Sequence, residues 1–202
     1  MSEDGLPGRG GKPYVPPVLI QTARLTLREK RLEDAEDDFA WRGDPELARY
    51  DAVPPLRMAF PDYLRLYRSD LRMPPSRQLV LGVDNQAGEH VGNCMCYDID
   101  IPAREAEMGI MIGRKDHWNQ GYGTEVIQAF LPYVFRRFNL RRVYLHTLDW
   151  NHRAQKAFQK AGFRPMGTVV RNGYSFIQME ILRHEVLGDE AAASAPGEAA
   201  KP

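Results

Sequence analysis

Arg24-Leu25-Thr26-Leu27-Arg28 alternates polar and apolar side chains, the period of a strand with one buried face, and predicts a first strand at about 23–29. Helical spacing follows: Leu32, Ala35 and Phe39 share a face, and Asp44-Pro45 is a cap residue with proline at the first helical position. A second proline-led helix starts at Pro61, with Tyr63, Leu64, Tyr67 and Leu71 along one side. Extended runs at Gln78–Val83, His90–Tyr97 and Glu105–Ile112 are separated by turn chemistry at Asp84-Asn85 and Gly88, so they read as a meander. From Gly121 to Phe138 a wide apolar stripe through Val126, Ile127, Phe130, Leu131, Val134 and Phe135 predicts a long amphipathic helix. Pro132 interrupts it, and a kink or a shifted boundary is expected there. A strand at Arg142–Leu148, a helix at Asn151–Ala161 closed by Gly162, and a hairpin of Phe163–Val170 with Tyr174–Leu182 complete the pattern. The order is mixed α/β, with helices inserted into a mainly antiparallel sheet of about seven strands.

Both ends break the periodicity. Residues 1–17 interleave glycines with prolines, and 188–202 carry no large apolar residue, so both are expected to be flexible arms around one folded domain at 18–187. With 202 residues, 43% of them hydrophobic, the chain suits a single domain with a sizeable core. Lys plus Arg equals Asp plus Glu at 27 each, which leaves no global field to hold nucleic acid or an anionic membrane surface. No apolar run resembles a signal peptide or a membrane span, and the expected location is the cytoplasm. Cys94-x-Cys96 lacks metal-ligand spacing, the five histidines stand singly, and no metal is expected.

The sharpest chemistry lies in Gln120-Gly121-Tyr122-Gly123-Thr124, ahead of the long helix. Glycines let backbone amides crowd a ligand, and a helix N-terminus adds partial positive charge, so the segment suits a pyrophosphate. No Gly-Lys-Ser/Thr follows, and residue 126, where a dinucleotide fingerprint needs a third glycine, is valine. Nucleotide hydrolysis and nicotinamide binding are thereby disfavoured. Downstream stands Asn151-His152-Arg153-Ala154, followed by Phe158-Gln159-Lys160-Ala161-Gly162-Phe163. Together with the Gly-x-Gly turn these segments make the chain resemble the GNAT superfamily of acyl-CoA-dependent N-acyltransferases over about 20–183. Thr22-x-Arg24-Leu25-x-Leu27-Arg28 and Ala106-Glu107-Met108-Gly109-Ile110 resemble more narrowly its ribosomal-protein N-terminal acetyltransferase-like branch.

The resemblance implies that the strand before the turn splays from its neighbour and offers backbone at Met111, Ile112 and Gly113 to the pantetheine arm of acetyl-CoA. It implies that amides from Asn119 through Gln120, Gly121, Tyr122 and Gly123 to Thr124 take the pyrophosphate, and that Asn151 contacts the arm, a role compatible with capping its own helix. Two positions depart from the pattern. Trp118 stands where many relatives have Gln or Arg, which throws pyrophosphate binding onto backbone amides. Phe158 stands where many have a tyrosine that protonates the departing thiolate; a phenyl ring packs on the cofactor arm but has no proton to give. Tyr174 is a candidate substitute, and a thiolate is also a tolerable leaving group unaided.

Glu107 shares a strand face with Gly109 and Met111, and the resemblance puts a general base on this strand in several members of the superfamily. An α-amine near pKa 8 costs about 1.4 kcal/mol to deprotonate at pH 7, and a lysine-like amine near 10.4 about 4.6 kcal/mol, so a base is wanted most for the latter. The expected function is acetyl transfer from acetyl-CoA to a primary amine by direct attack, the acceptor being a peptide N-terminus or a small amine. A longer donor such as succinyl-CoA, a non-catalytic acyl-CoA sensor, and a homodimeric state stay open.

Overall fold

The computed structural model describes residues 17–188 apart from 74–75, so the arms expected at 1–17 and 188–202 lie, but for Pro17 and Gly188, outside the described residues. The strands are β1 (Val18–Gln21), β2 (Leu25–Glu29), β3 (Leu79–Asn85), β4 (His90–Asp100), β5 (Glu105–Ile112), β6 (Arg142–Leu148), β7 (Arg164–Arg171) and β8 (Tyr174–Leu182). They form one sheet in the order β1-β2-β3-β4-β5-β6-β8-β7. Every neighbouring pair is antiparallel except β5 and β6. The strand beyond the expected set is β1, whose short run does not alternate. The strand expected from residue 23 begins at Leu25 because Thr22 turns the chain, its Oγ1 accepting from the Leu25 amide at 2.9 Å.

Helices α1 (Asp34–Gly43), α2 (Pro45–Tyr50) and α3 (Phe60–Arg72) follow β2, α4 (Tyr122–Arg137) links β5 to β6, α5 (His152–Lys160) links β6 to β7, and a short α6 (Arg183–Leu187) follows β8. The core lies between α4 and one sheet face, where Val126, Ile127, Phe130 and Phe135 are fully buried with Leu27, Leu81, Cys94, Met108 and Val143. Both cysteines are buried core residues, and burial pushes the Cys96 thiol up to about 12, so neither offers a thiolate at neutral pH. Pro132 shifts no boundary: α4 runs unbroken through it. Having no N–H, Pro132 simply leaves the Gln128 carbonyl without its intrahelical donor.

The opposite face carries α1 to α3 at the β2–β4 end. Asp44 caps α2, its Oδ1 accepting from Glu46 and Leu47 amides at 2.8 and 3.1 Å. Of the aromatic residues in this insert, Trp41 is fully buried, whereas Tyr50, Phe60, Tyr63 and Tyr67 are half-buried, and α3 has no fully buried residue. The β7–β8 turn has Asn172 and Gly173 at φ 51° and 79°, the paired left-handed conformation of a two-residue hairpin loop. No described helix is long and apolar enough to cross a membrane.

Candidate active site

The site arises where the sheet stops being continuous. β5 and β6 pair only from Glu105–Arg142 to Glu107–Tyr144, although β5 continues to Ile112 and β6 to Leu148. Each strand is held on its outer edge, β5 by β4 through Ile112 and β6 by β8 through Leu148. The inner edges therefore diverge into a fork, and a cavity of about 750 Å³ opens there, lined by both edges, by the start of α4 and by α5. Unpaired strand edges have donors and acceptors that an extended amide-bearing ligand can satisfy.

Glu107 sits at the apex of the fork and is only 8% exposed. Tyr97 Oη donates to its Oε1 at 3.1 Å, and His146 Nδ1 lies 2.8 Å from the same oxygen. With the carboxylate ionised, that imidazole nitrogen must carry the proton. Both bonds fall on one oxygen, and among the described residues Oε2 has no hydrogen-bond partner. Burial, with the Glu107 charge beside it, pushes the Tyr97 phenol above its ordinary range, so it stays a donor at neutral pH. Neither partner was legible in the sequence: His146 reads there as an isolated histidine, and only the two-residue step from Tyr144, opposite Glu107, hints that it shares the face.

The turn before α4 has Asn119 at φ 61° and Gly121 at φ 81°. Gly121 occupies the N-cap without a side-chain acceptor, which leaves the first amides of α4 free for an anion. Asn119, Gly121, Tyr122, Gly123 and Thr124 line the cavity; Gln120 does not. Its side chain donates to the Asp116 carbonyl at 2.5 Å, and its own carbonyl accepts from Arg24 Nη1 at 3.0 Å. A Cβ built on Gly123 would meet nothing closer than Ala157 Cβ at 3.9 Å, so protein packing does not require that glycine. Arg24 fixes the turn through Glu125, with Nε to Oε2 at 2.7 Å, and Thr22 Oγ1 donates to Oε1 at 2.5 Å. Burial alone would raise the Glu125 carboxyl, but these bonds outweigh it and hold it below the usual carboxylate value. The Thr22-x-Arg24 motif thus anchors the glycine turn before α4 from across the fold.

Met111 and Ile112 line the cavity as expected positions of the fork edge, while Gly113 does not. A Cβ on Gly113 would fall 2.0 Å from the Trp41 ring, so this glycine serves packing. Asn151, 9% exposed, lines the cavity and caps α5, its Oδ1 accepting from the Ala154 amide at 3.2 Å. Phe158 also lines it, edge-on to Phe163 at 5.6 Å. Tyr174 lies outside the cavity lining, 42% exposed at the start of β8, which removes it as a substitute proton donor. No cluster of metal-ligating side chains occurs among the described residues.

The fold is shared with solved acetyltransferases. A crystal structure of spermidine N-acetyltransferase from Vibrio cholerae, in complex with CoA and spermine, matches with TM-score 0.74 at 23% identity, covering 82% of this chain and 99% of that one. An aminoglycoside acetyltransferase in complex with coenzyme A matches with TM-score 0.66 at 19% identity, covering 79% and 95%. In sequence, the uncharacterized N-acetyltransferase p20 of Bacillus licheniformis is 28% identical over 150 residues, 73% of this chain and 83% of its own length. The spermidine N(1)-acetyltransferase of Vibrio cholerae is 27% identical over 112 residues, 55% of this chain and 63% of its own length. The model of the acetyltransferase (GNAT) domain matches residues 24–164, from the first long strand through the fork to the helix behind it, and the chain therefore belongs to the GNAT family of acetyltransferases.

Proposed function

We propose that the protein moves the acetyl group of acetyl-CoA to a primary amine of a small polycationic acceptor by direct attack, with Glu107 taking the amine's proton. The observation that carries this reading is Glu107 at the apex of the fork, its Oε1 held by Tyr97 and His146 and its Oε2 left without a partner among the described residues. A carboxylate fixed through one oxygen presents the other in a defined direction, directly or through one water, and such positioned bases contribute about 10²–10⁴ in rate.

Acetyl-CoA fits the chain's own groups, and GNAT enzymes use it as donor. The unpaired amides at Gly121–Thr124 suit a pyrophosphate, the inner edge of β5 at Met111 and Ile112 suits the amide-bearing arm, and Phe158 with Asn151 closes the α5 side. When bound, the donor supplies a thioester carbonyl as electrophile and a thiolate as leaving group. The protein's part is to hold the amine between Glu107 and the fork, to remove its proton and to keep bulk water from the apex.

For the acceptor, a second carboxylate supports a polycationic amine. Asp51 also lines the cavity; the residue is exposed at the surface, yet desolvation by the surrounding protein pushes its carboxyl to about 6, with Arg42 acting the other way. It is still ionised at neutral pH and can hold a second ammonium group. Acceptors named for two of the similar proteins, spermidine and an aminoglycoside, are of this chemical kind.

A thiol-release assay with acetyl-CoA tests the reading over polyamines, aminoglycosides, amino acids and peptides with free N-termini. Turnover is expected with polyamines. A peptide preference would move the acceptor to protein N-termini, as the ribosomal-protein-like resemblance implies, and a succinyl-CoA preference would change the donor. Coenzyme A binding without turnover of any amine would overturn the proposal in favour of a sensor.

A further inference from the structure

The anion-binding turn has no cation of its own. Asn119 to Thr124 contribute amides and hydroxyls, and the position before them, where the resemblance led to Gln or Arg, is Trp118. The arginine and lysine side chains closest in sequence are already committed: Arg114 to Asp116 at 2.8 Å, and Lys115 to Asp44 and Glu46 at 2.7 Å each. Arg24, which reaches the turn from the far side, is paired with Glu125 at 2.6 Å.

Arg153 differs from all of these. It projects from the first turn of α5, on the opposite wall of the cavity, and its Cζ lies 3.5 Å from the centroid of the Trp118 ring. Tyr50, at the end of α2, stands perpendicular to Trp118 with centroids 5.8 Å apart, and its ring centroid is 4.7 Å from the same Cζ. The guanidinium is thus seated in the corner of an aromatic pair, and Trp118 is itself fixed by its Nε1, which donates to the Ile112 carbonyl at 2.7 Å. Among the described residues Arg153 has no hydrogen bond and no carboxylate partner. Stacking orders a guanidinium without using its five N–H donors, so those stay available in its plane for a phosphate.

We infer that Arg153 supplies the charge that the turn lacks, contacting the donor's phosphate groups from α5, and that Trp118 is the platform that positions it. The wall opposite the turn therefore takes over the task for which the tryptophan, its one donor spent on the Ile112 carbonyl, has no free donor. This rests on the acetyl-CoA reading above. The same N–H donors would also suit an acidic group on an acceptor, and the experiment separates the two sources.

Direct titration of the full chain with coenzyme A and with pantetheine, which has the thiol arm but no phosphate, is the test. Arg153→Ala should weaken coenzyme A binding at least tenfold, about 1.4 kcal/mol, and leave pantetheine binding unchanged. The dependence of coenzyme A affinity on salt should flatten in the same variant. Trp118→Ala should reproduce the selective loss, and the double variant should lose little more than either single one. Arg153→Lys, which keeps the charge without the planar stack, should fall between. Equal losses for both ligands would overturn the inference, as would full coenzyme A affinity in a folded Arg153→Ala protein. A defect confined to the KM of acidic acceptors would also overturn it and assign Arg153 to the acceptor. A wild-type protein that binds no coenzyme A would overturn the donor reading together with this inference, whereas normal wild-type binding indifferent to Arg153→Ala overturns this inference alone.

Discussion

Replacing Arg28 by methionine should destabilise the domain more than any single apolar truncation on the helical-insert face. Arg28 is 2% exposed, between β2, β3 and the start of α1. Its Nε and Nη2 donate to Asp84 at 2.7 and 2.6 Å, Nη1 and Nη2 donate to Asp34 at 2.8 and 2.7 Å, and Nη1 also donates to the Glu29 carbonyl at 3.0 Å. Every donor is used. Burial alone would depress the guanidinium's affinity for its proton, but the two aspartates outweigh it and hold the charge firmly. Methionine fills similar volume and strands two buried carboxylates, a loss of about 3–5 kcal/mol. At about 2–4 °C per kcal/mol for a domain of this size, Tm should fall by about 6–20 °C. Lys30 at 3.4 Å and Arg31 at 3.3 Å from Asp34 soften the loss but reach Asp84 poorly, Arg31 standing at 3.9 Å. Burial would raise the Asp34 carboxyl, yet the Arg28 hydrogen bonds and the Lys30 charge hold it well below the usual carboxylate range. A depressed carboxyl contributes stability that is present above its unfolded value near 4 and lost as pH falls through the folded value. Urea titrations of both proteins between pH 7 and pH 2 would check this: wild type should weaken below about pH 4, and Arg28→Met should start weaker and lose less. A loss under about 1 kcal/mol at pH 7 would mean that Asp34 and Asp84 are accommodated without Arg28.

Gly123→Val should leave the melting temperature near wild type, since a Cβ there meets only Ala157 at 3.9 Å, and should weaken coenzyme A binding about tenfold in a calorimetric titration. Gly113→Ala should behave in the opposite way, costing about 1–3 kcal/mol in a denaturant melt because its methyl collides with the Trp41 ring. For a polycationic acceptor, KM should fall as pH rises through about 6, where Asp51 acquires its charge, and Asp51→Asn should remove that step from the pH profile of KM.

Much of this molecule could be read from period and punctuation. The alternation around Leu25 and Leu27, the Asp44-Pro45 start and the apolar stripe of α4 are local signals, and each produced its element. β1 escaped because four residues are too few to display a period, and the course of α4 through Pro132 depended on packing over the core rather than on propensity. The site was legible in part. Glu107 and the Gly-x-Gly turn carry local signals, and the structure brings both to one cavity. What sets their geometry is non-local: the register that stops β5 and β6 pairing at Glu107–Tyr144, the approach of His146 to Glu107, and the seating of Arg153 on Trp118. No spacing in a single sequence encodes such contacts between distant segments. Gly113 shows the converse, a glycine that the resemblance set along the cofactor arm and whose neighbour proved to be Trp41.

The proposed role of Glu107, to accept the acceptor's proton, would show in the pH–rate profile of Glu107→Gln against wild type. The amide keeps the shape, so coenzyme A affinity and melting temperature should hold, while kcat at pH 7 falls by about 10²–10⁴. The deficit should shrink as pH rises towards the amine's own pKa, where free amine forms without help. A deficit of the same size at every pH would assign Glu107 to positioning, and full activity of the Gln variant at neutral pH would remove it from the mechanism.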